Sequence, residues 1–136
     1  MAASVPVCPV CPCQSWLVLW GRGEEPLRHV AAEIALAADI DPLINADVRI
    51  DVVDVGVKAE VAAAAANVIR ALGRCDLLIN NAGVHDGPGV MDRSEADIRA
   101  IFEVNVLSHF WTLQTFLPGM LDRNHGHVVT VGSAAG

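Results

Sequence analysis

Apolar and polar positions along the chain fall into two alternating rhythms. Short apolar runs stand at Trp16-Leu17-Val18-Leu19-Trp20, Val48-Arg49-Ile50-Asp51-Val52, Asp76-Leu77-Leu78-Ile79-Asn80 and His127-Val128-Val129-Thr130-Val131. Runs of this length and composition predict strands, and the all-apolar Leu77-Leu78-Ile79 predicts one buried on both faces. Between them apolar residues recur at helical spacing. The first such segment, 24–38, carries Leu27, Val30, Ala31, Ile34, Ala35 and Ala38, with Pro26 suited to its first turn. The second, 57–72, is Ala-rich, and Gly73 is its natural stop. The third is opened by Ser94-Glu95-Ala96-Asp97, a capping box with Asp in place of Glu. It carries Ile98, Ile101, Phe102, Asn105, His109, Phe110, Leu113 and Leu117, and Pro118-Gly119 are expected to end it. Strands alternating with helices predict an α/β domain built on a parallel sheet.

The chain is organised around Asp76-Leu77-Leu78-Ile79-Asn80-Asn81-Ala82-Gly83. A buried strand here stops abruptly in two Asn, a small residue and a Gly, types that tolerate unusual backbone angles and let another group approach closely. An open parallel sheet presents its ligand crevice at such carboxyl ends. An ordinary strand and turn is the plainer alternative.

Composition narrows the function classes. The 136 residues form one domain at most; 53% are hydrophobic, enough for a core, and Tyr is absent. The net charge of −7 and the lack of any basic run argue against nucleic acid as a partner. No apolar stretch reaches the ~20 residues that span a bilayer, and the start lacks the pattern of a secretory signal, so a cytoplasmic location is expected. Residues 1–15 read as an irregular leader broken by Pro6, Pro9 and Pro12, and 16–136 as the domain. Cys8, Cys11 and Cys13 could open a zinc site or form a disulfide, but no second Cys pair follows and the later His have no matching spacing. No metal is expected.

Two polar residues stand out. Asn105 interrupts an apolar helical face, where Asn has poor propensity and needs a hydrogen-bond partner. Ser133 follows the last strand, and right-handed crossovers bring that strand end to the same edge as Asn81-Ala82-Gly83. Taken singly, a satisfied core amide and a turn residue would explain them.

Asn80-Asn81-Ala82-Gly83-Val84, Asn105-Val106 with His109-Phe110-Trp111-Thr112, and the run from Gly126 to Gly136 resemble the short-chain dehydrogenase/reductase family. The likeness is nearest to its retinol- and 17β-hydroxysteroid-dehydrogenase-like branch. It implies a Rossmann-type doubly wound sheet in three αβα layers. Trp16 to Trp20 resembles the family's second strand. Asp51-Val52 resembles its Asp-Val after the third strand, whose Asp contacts the adenine, and Asn81, Ala82 and Gly83 match its cofactor-side turn. The catalytic Asn and Ser map onto Asn105 and Ser133. The implied reaction is hydride transfer between NAD or NADP and an alcohol or carbonyl group of a small lipophilic substrate, retinoid or steroid in type.

The departures carry expectations of their own. The family's first strand and Gly-rich loop belong before Trp16, where the Pro-broken leader stands, and its Tyr-x-x-x-Lys has no counterpart in a chain without Tyr. The expectation is a partial domain, inactive by itself because the acid/base group and the Gly-rich loop are both absent, and open to self-association or association with a full-length relative. Relatives with an N-terminal anchor would sit at the endoplasmic reticulum or on lipid droplets. Gly21-Arg22 replaces the acidic residue that usually ends the second strand. Arg22 could pair with a 2′-phosphate and favour NADP, or be an exposed turn residue. The prolines are also expected to keep residues 1–15 out of the gap between the second and fourth strands.

Overall fold

The structure is a computed structural model in which residues 2–3, 15–40, 46–85 and 89–133 are described. In chain order the elements are β1 (Ala2–Ala3), β2 (Ser15–Gly21), α1 (Glu24–Ile40), β3 (Ala46–Val52), α2 (Lys58–Leu72) and β4 (Leu77–Asn80). A long helical segment follows: α3 (Glu95–Phe102), a π-helical turn (Glu103–Leu107) and α4 (Ser108–Asp122). Strand β5 (His127–Thr130) comes last.

The sheet order is β3-β2-β1-β4-β5. β2 runs parallel to β3, and β4 parallel to β5. β1 is antiparallel to both β2 and β4, so the four longer strands share one direction and their carboxyl ends share one edge. This places Trp16–Trp20 in the second-strand position. The expectation of an empty gap beside it is corrected: Ala2 pairs with Trp20 and Asn80, and Ala3 with Leu19. The prolines do not prevent this because the two pairing residues precede Pro6 and keep their N–H donors. The Cys8, Cys11 and Cys13 group lies outside the described residues.

Both faces of the sheet are used. Leu17 and Leu19 point to α1, where Leu27, Val30, Ala31 and Ile34 cover them together with Val48 and Ile50. Val18 and Trp20 alternate to the opposite face, which is packed by Val61, Ala64, Ala65 and Val68 of α2 and by Phe116 and Met120 of α4. Ala64 and Ala65 are the small residues that let α2 lie close to the sheet and to α4. Helix α2 ends as expected, with Gly73 in the left-handed conformation (φ 78°) and its N–H bonded to the Ile69 carbonyl. Ser94 caps α3 in a full capping box with Asp97.

The third helix departs from its predicted end. Pro118 sits inside α4, which continues to Asp122. Proline removes one backbone donor, but Phe116 and Met120 on either side are buried against the sheet and hold the helix on course.

Candidate functional site: a cleft at the strand ends

Three strand ends and the π-helical turn enclose one cleft. Its lining comes from Trp20, Gly21 and Arg22 after β2, Val53, Asp54 and Val55 after β3, Ala82, Gly83 and Val84 after β4, and Val104 of the π-turn. The sheet ladder reaches its rim: the Val53 N–H bonds the Gly21 carbonyl at 2.9 Å, and the Val131 N–H bonds the Asn80 carbonyl at 2.9 Å.

The floor is fixed by Asn105. Its Oδ1 accepts from the Val84 N–H at 2.8 Å and its Nδ2 donates to the Val84 carbonyl at 2.9 Å. One amide side chain thus satisfies both backbone groups of a loop residue 21 positions earlier. A π-turn inserts an extra residue into a helix and commonly marks a functional position; here it contains the residue that grips the loop. Asn80 supports the same turn from below. It is buried, and its Oδ1 accepts from the Thr112 hydroxyl at 2.9 Å. The cleft is open above Gly83, where an added Cβ would meet only Asn105 Oδ1, at 3.8 Å.

The β3 side is locked by its own hydrogen bonds. Asp54 Oδ1 accepts from the Gly56 N–H at 2.9 Å, and the Asp54 N–H donates to Glu60 Oε2 at 2.8 Å. Trp20, in the cleft wall, is buried and carries an indole N–H that has no acceptor among the described residues.

Of the residues singled out in the sequence, Arg22, Ala82 and Gly83 line the cleft, and Asn105 holds its floor. Asp51, Val52, Asn81 and Ser133 are not in the lining. For Asp51 and Val52 the reason is the length of β3. The strand runs through Val52, with Asp51 in register with Trp20 and its Oδ1 bound by the Arg49 guanidinium at 2.9 Å. The carboxylate at the strand's end is Asp54, followed by Val55. Asp-Val occurs three times here, at Asp47-Val48, Asp51-Val52 and Asp54-Val55. Gly56, just before the next helix, was the signal for the third. Asn81 and Ser133 are exposed at the same edge. No group of three or more metal-ligating side chains occurs among the described residues.

An open sheet with a cleft across its carboxyl edge defines the class: a Rossmann-like α/β domain. Residues 14–136 match the short chain dehydrogenase family profile, and the chain belongs to that family. Estradiol 17-beta-dehydrogenase 11 of Rattus norvegicus is 40% identical over 121 residues, 88% of this chain and 38% of that protein. A metagenomic short-chain oxidoreductase solved in complex with NADP superposes with a TM-score of 0.75 at 32% identity, covering 85% of this chain and 50% of the other. A short-chain dehydrogenase/reductase from Burkholderia phymatum, solved in complex with NAD, gives 0.74 at 32% identity, covering 87% and 40%. The chain therefore spans well under half the length of the relative it matches best in sequence among these three. No helix among the described residues is long and apolar enough to cross a membrane.

Proposed function

We propose that the cleft holds the adenosine half of NAD or NADP, and that Asn105 and Ser133 serve hydride transfer at an alcohol or carbonyl group of a retinoid- or steroid-like substrate. The observation that carries this reading is the convergence of three strand ends on a loop clamped by Asn105. Asp54, rather than Asp51, is the carboxylate placed to meet an adenine amino group, with the Val55 backbone beside it. Arg22 is exposed in the lining at the neighbouring end of β2, where a guanidinium can pair with a 2′-phosphate, so NADP is favoured. The indole N–H of Trp20 adds an unused donor at this wall.

The dinucleotide, when bound, supplies the nicotinamide that gives or takes the hydride. Ser133 would donate a hydrogen bond to the substrate oxygen. Asn105 would hold a water of the proton relay while keeping Val84 in place. A Tyr is the family's acid/base group, and none is present in these 136 residues. General acid/base catalysis contributes about 10²–10⁴-fold, so this chain by itself is expected to bind but not to turn over. A cytoplasmic location belongs to the same reading.

Calorimetric titration of the chain with 2′,5′-ADP, AMP, NADP and NAD tests it. Binding of 2′,5′-ADP, weakened several-fold by Asp54→Ala or Arg22→Ala and less by Asp51→Ala, supports the assignment. Absence of binding by all four ligands would overturn it. Turnover of a retinol or steroid above a no-protein control, lost in Ser133→Ala, would overturn the inactivity.

One observation favours a second reading, association with a full-length relative or another copy. Ile98, Phe102, Val106 and Phe110 recur every fourth residue along α3, the π-turn and α4, and all are exposed. Sedimentation of the chain alone, and capture by an immobilised full-length relative, separate this reading from a monomeric binding module.

A further inference from the structure

The π-turn packs against the loop that follows β3, and a second contact close by joins the helices that flank the two. Gly56 faces the π-turn at close range: a Cβ built on Gly56 would lie 3.4 Å from Val104 Cγ2 and 3.6 Å from Glu103 Cβ. Two residues on, Lys58 Nζ stands 4.5 Å from the centre of the Trp111 ring, tying the start of α2 to α4. Val104 lines the cleft and directly precedes Asn105. The loop itself is rigid, because Asp54 binds the Gly56 N–H and Glu60 binds the Asp54 N–H.

We infer that Gly56 is a positioning residue: its missing side chain lets Val104 seat against the β3 loop, and that seat sets where Asn105 grips Val84. The chemical consequence is a mechanical link across the cleft, from the Asp54–Gly56 side to the Val84 side. Cores are close-packed, so a shift at one wall is passed on rather than absorbed. A methyl group at position 56 would stand at the near limit of ordinary contact with Val104, so the atoms of any larger side chain are directed at the π-turn. The link between the two walls stands on this geometry alone; its relevance to catalysis rests on the function proposed above.

Amide exchange and side-chain amide resonances of the 136-residue chain read the link without any ligand. In Gly56→Val the Val84 amide should exchange about fivefold faster or more, the size expected when one hydrogen bond is weakened, and in Gly56→Ala it should move in the same direction by less. The Asn105 side-chain NH₂ resonances should shift in parallel. Adding Val104→Ala to either variant removes the crowding and should restore both signals toward those of Val104→Ala alone. An added Cβ would also lie 3.2 Å from Asp54 Oδ1. If the strain escapes that way, only the resonances of 54–57 move and those of Val84 and Asn105 stay, which overturns the inference. Failure of Val104→Ala to restore the signals also overturns it. Should Gly56→Val not fold, Gly56→Ala with its Val104→Ala rescue decides the matter. Loss of 2′,5′-ADP binding with an intact Val84 signal would count against the proposed function and not against this link.

Discussion

The two halves of the sheet are built to different standards. β2 and β3 pair along the whole of Ser15–Gly21, with α1 on one face and α2 on the other, and Leu19 and Leu27 are almost fully buried. β4 and β5 pair only over Leu77–Asn80 and His127–Thr130, and all four β5 residues are exposed. The strand sequences are similarly apolar, so composition does not explain the contrast. Cover does. Leu78 of β4 packs with Phe116 and Met120 of α4, whereas no residue of β5 is buried. The halves are joined by the short β1 and by the packing of α2 against α4. A sheet of this kind should unfold unevenly, its β4–β5 side opening first.

The largest effect is expected where the halves meet. Phe116 of α4 is buried, and its ring lies 5.9 Å from the ring of Trp20 in β2, tilted by 39°. Phe116→Ala removes that bridge and leaves a cavity, a loss of about 3–5 kcal/mol, large beside a typical total stability of roughly 5–15 kcal/mol. Urea unfolding followed by Trp fluorescence should show it. A loss below about 1 kcal/mol would mean the halves are joined elsewhere. Leu27→Ala comes next, at about 2–4 kcal/mol. It strikes only the α1 layer, so amides of β4 should keep their exchange rates relative to global unfolding. Equal acceleration in both halves would erase the distinction drawn here.

What could be read from the sequence follows burial. The strand and helix pattern was legible because apolar periodicity reports burial, and burial is strongest in β2, α2 and α4. The organising turn at Asn80–Gly83 and the partner-seeking Asn105 were also legible, since Asn in an apolar helix face demands a hydrogen bond. That bond goes to Val84. Asp51-Val52 and Asp54-Val55 look alike in one dimension, yet only Asp54 and Val55 line the cleft. Only the strand's true end, which depends on pairing with β2 through Gly21, separates them. The π-turn left no pattern at all, since an inserted residue changes hydrogen bonding without changing composition. Ala2–Ala3 in the sheet was hidden for another reason: two small residues carry no periodicity.

Asn105→Ala should have a moderate effect confined to the weaker half. It strips the Val84 N–H and C=O of their partners in a part-buried site, costing about 1–3 kcal/mol if water does not replace both bonds. Faster exchange at Val84 with little change in β2 and β3 amides is the expected signature. Asn105→Asp keeps the acceptor for the Val84 N–H but sets a carboxylate against the Val84 carbonyl, so it should not rescue.

The smallest effect concerns α3, which buries no residue and therefore depends on its cap. The Ser94 hydroxyl donates to Asp97 Oδ2 at 2.6 Å, and the Ser94 N–H donates to the same oxygen at 3.1 Å. These bonds, the side-chain one first, hold the Asp97 carboxyl below its ordinary value, and the Arg93 charge adds slightly in the same direction. A depressed folded-state pKa means the ionised carboxylate stabilises α3 above the unfolded value, near 3.8. The contribution fades as pH falls through the lower folded value. Amide exchange in the first turn of α3 should accordingly gain protection as pH rises through the acid range, after correction for intrinsic rates, while α1 shows no such change. Asp97→Asn should flatten that profile because the neutral amide gains no ionised acceptor at any pH. Ser94→Ala should also flatten it, by removing the hydroxyl donor and the acceptor for the Asp97 N–H. Persistence of the profile in both variants would show that α3 is secured by something other than its cap, and the weaker half of the molecule would then be less dependent on local bonds than its exposure implies.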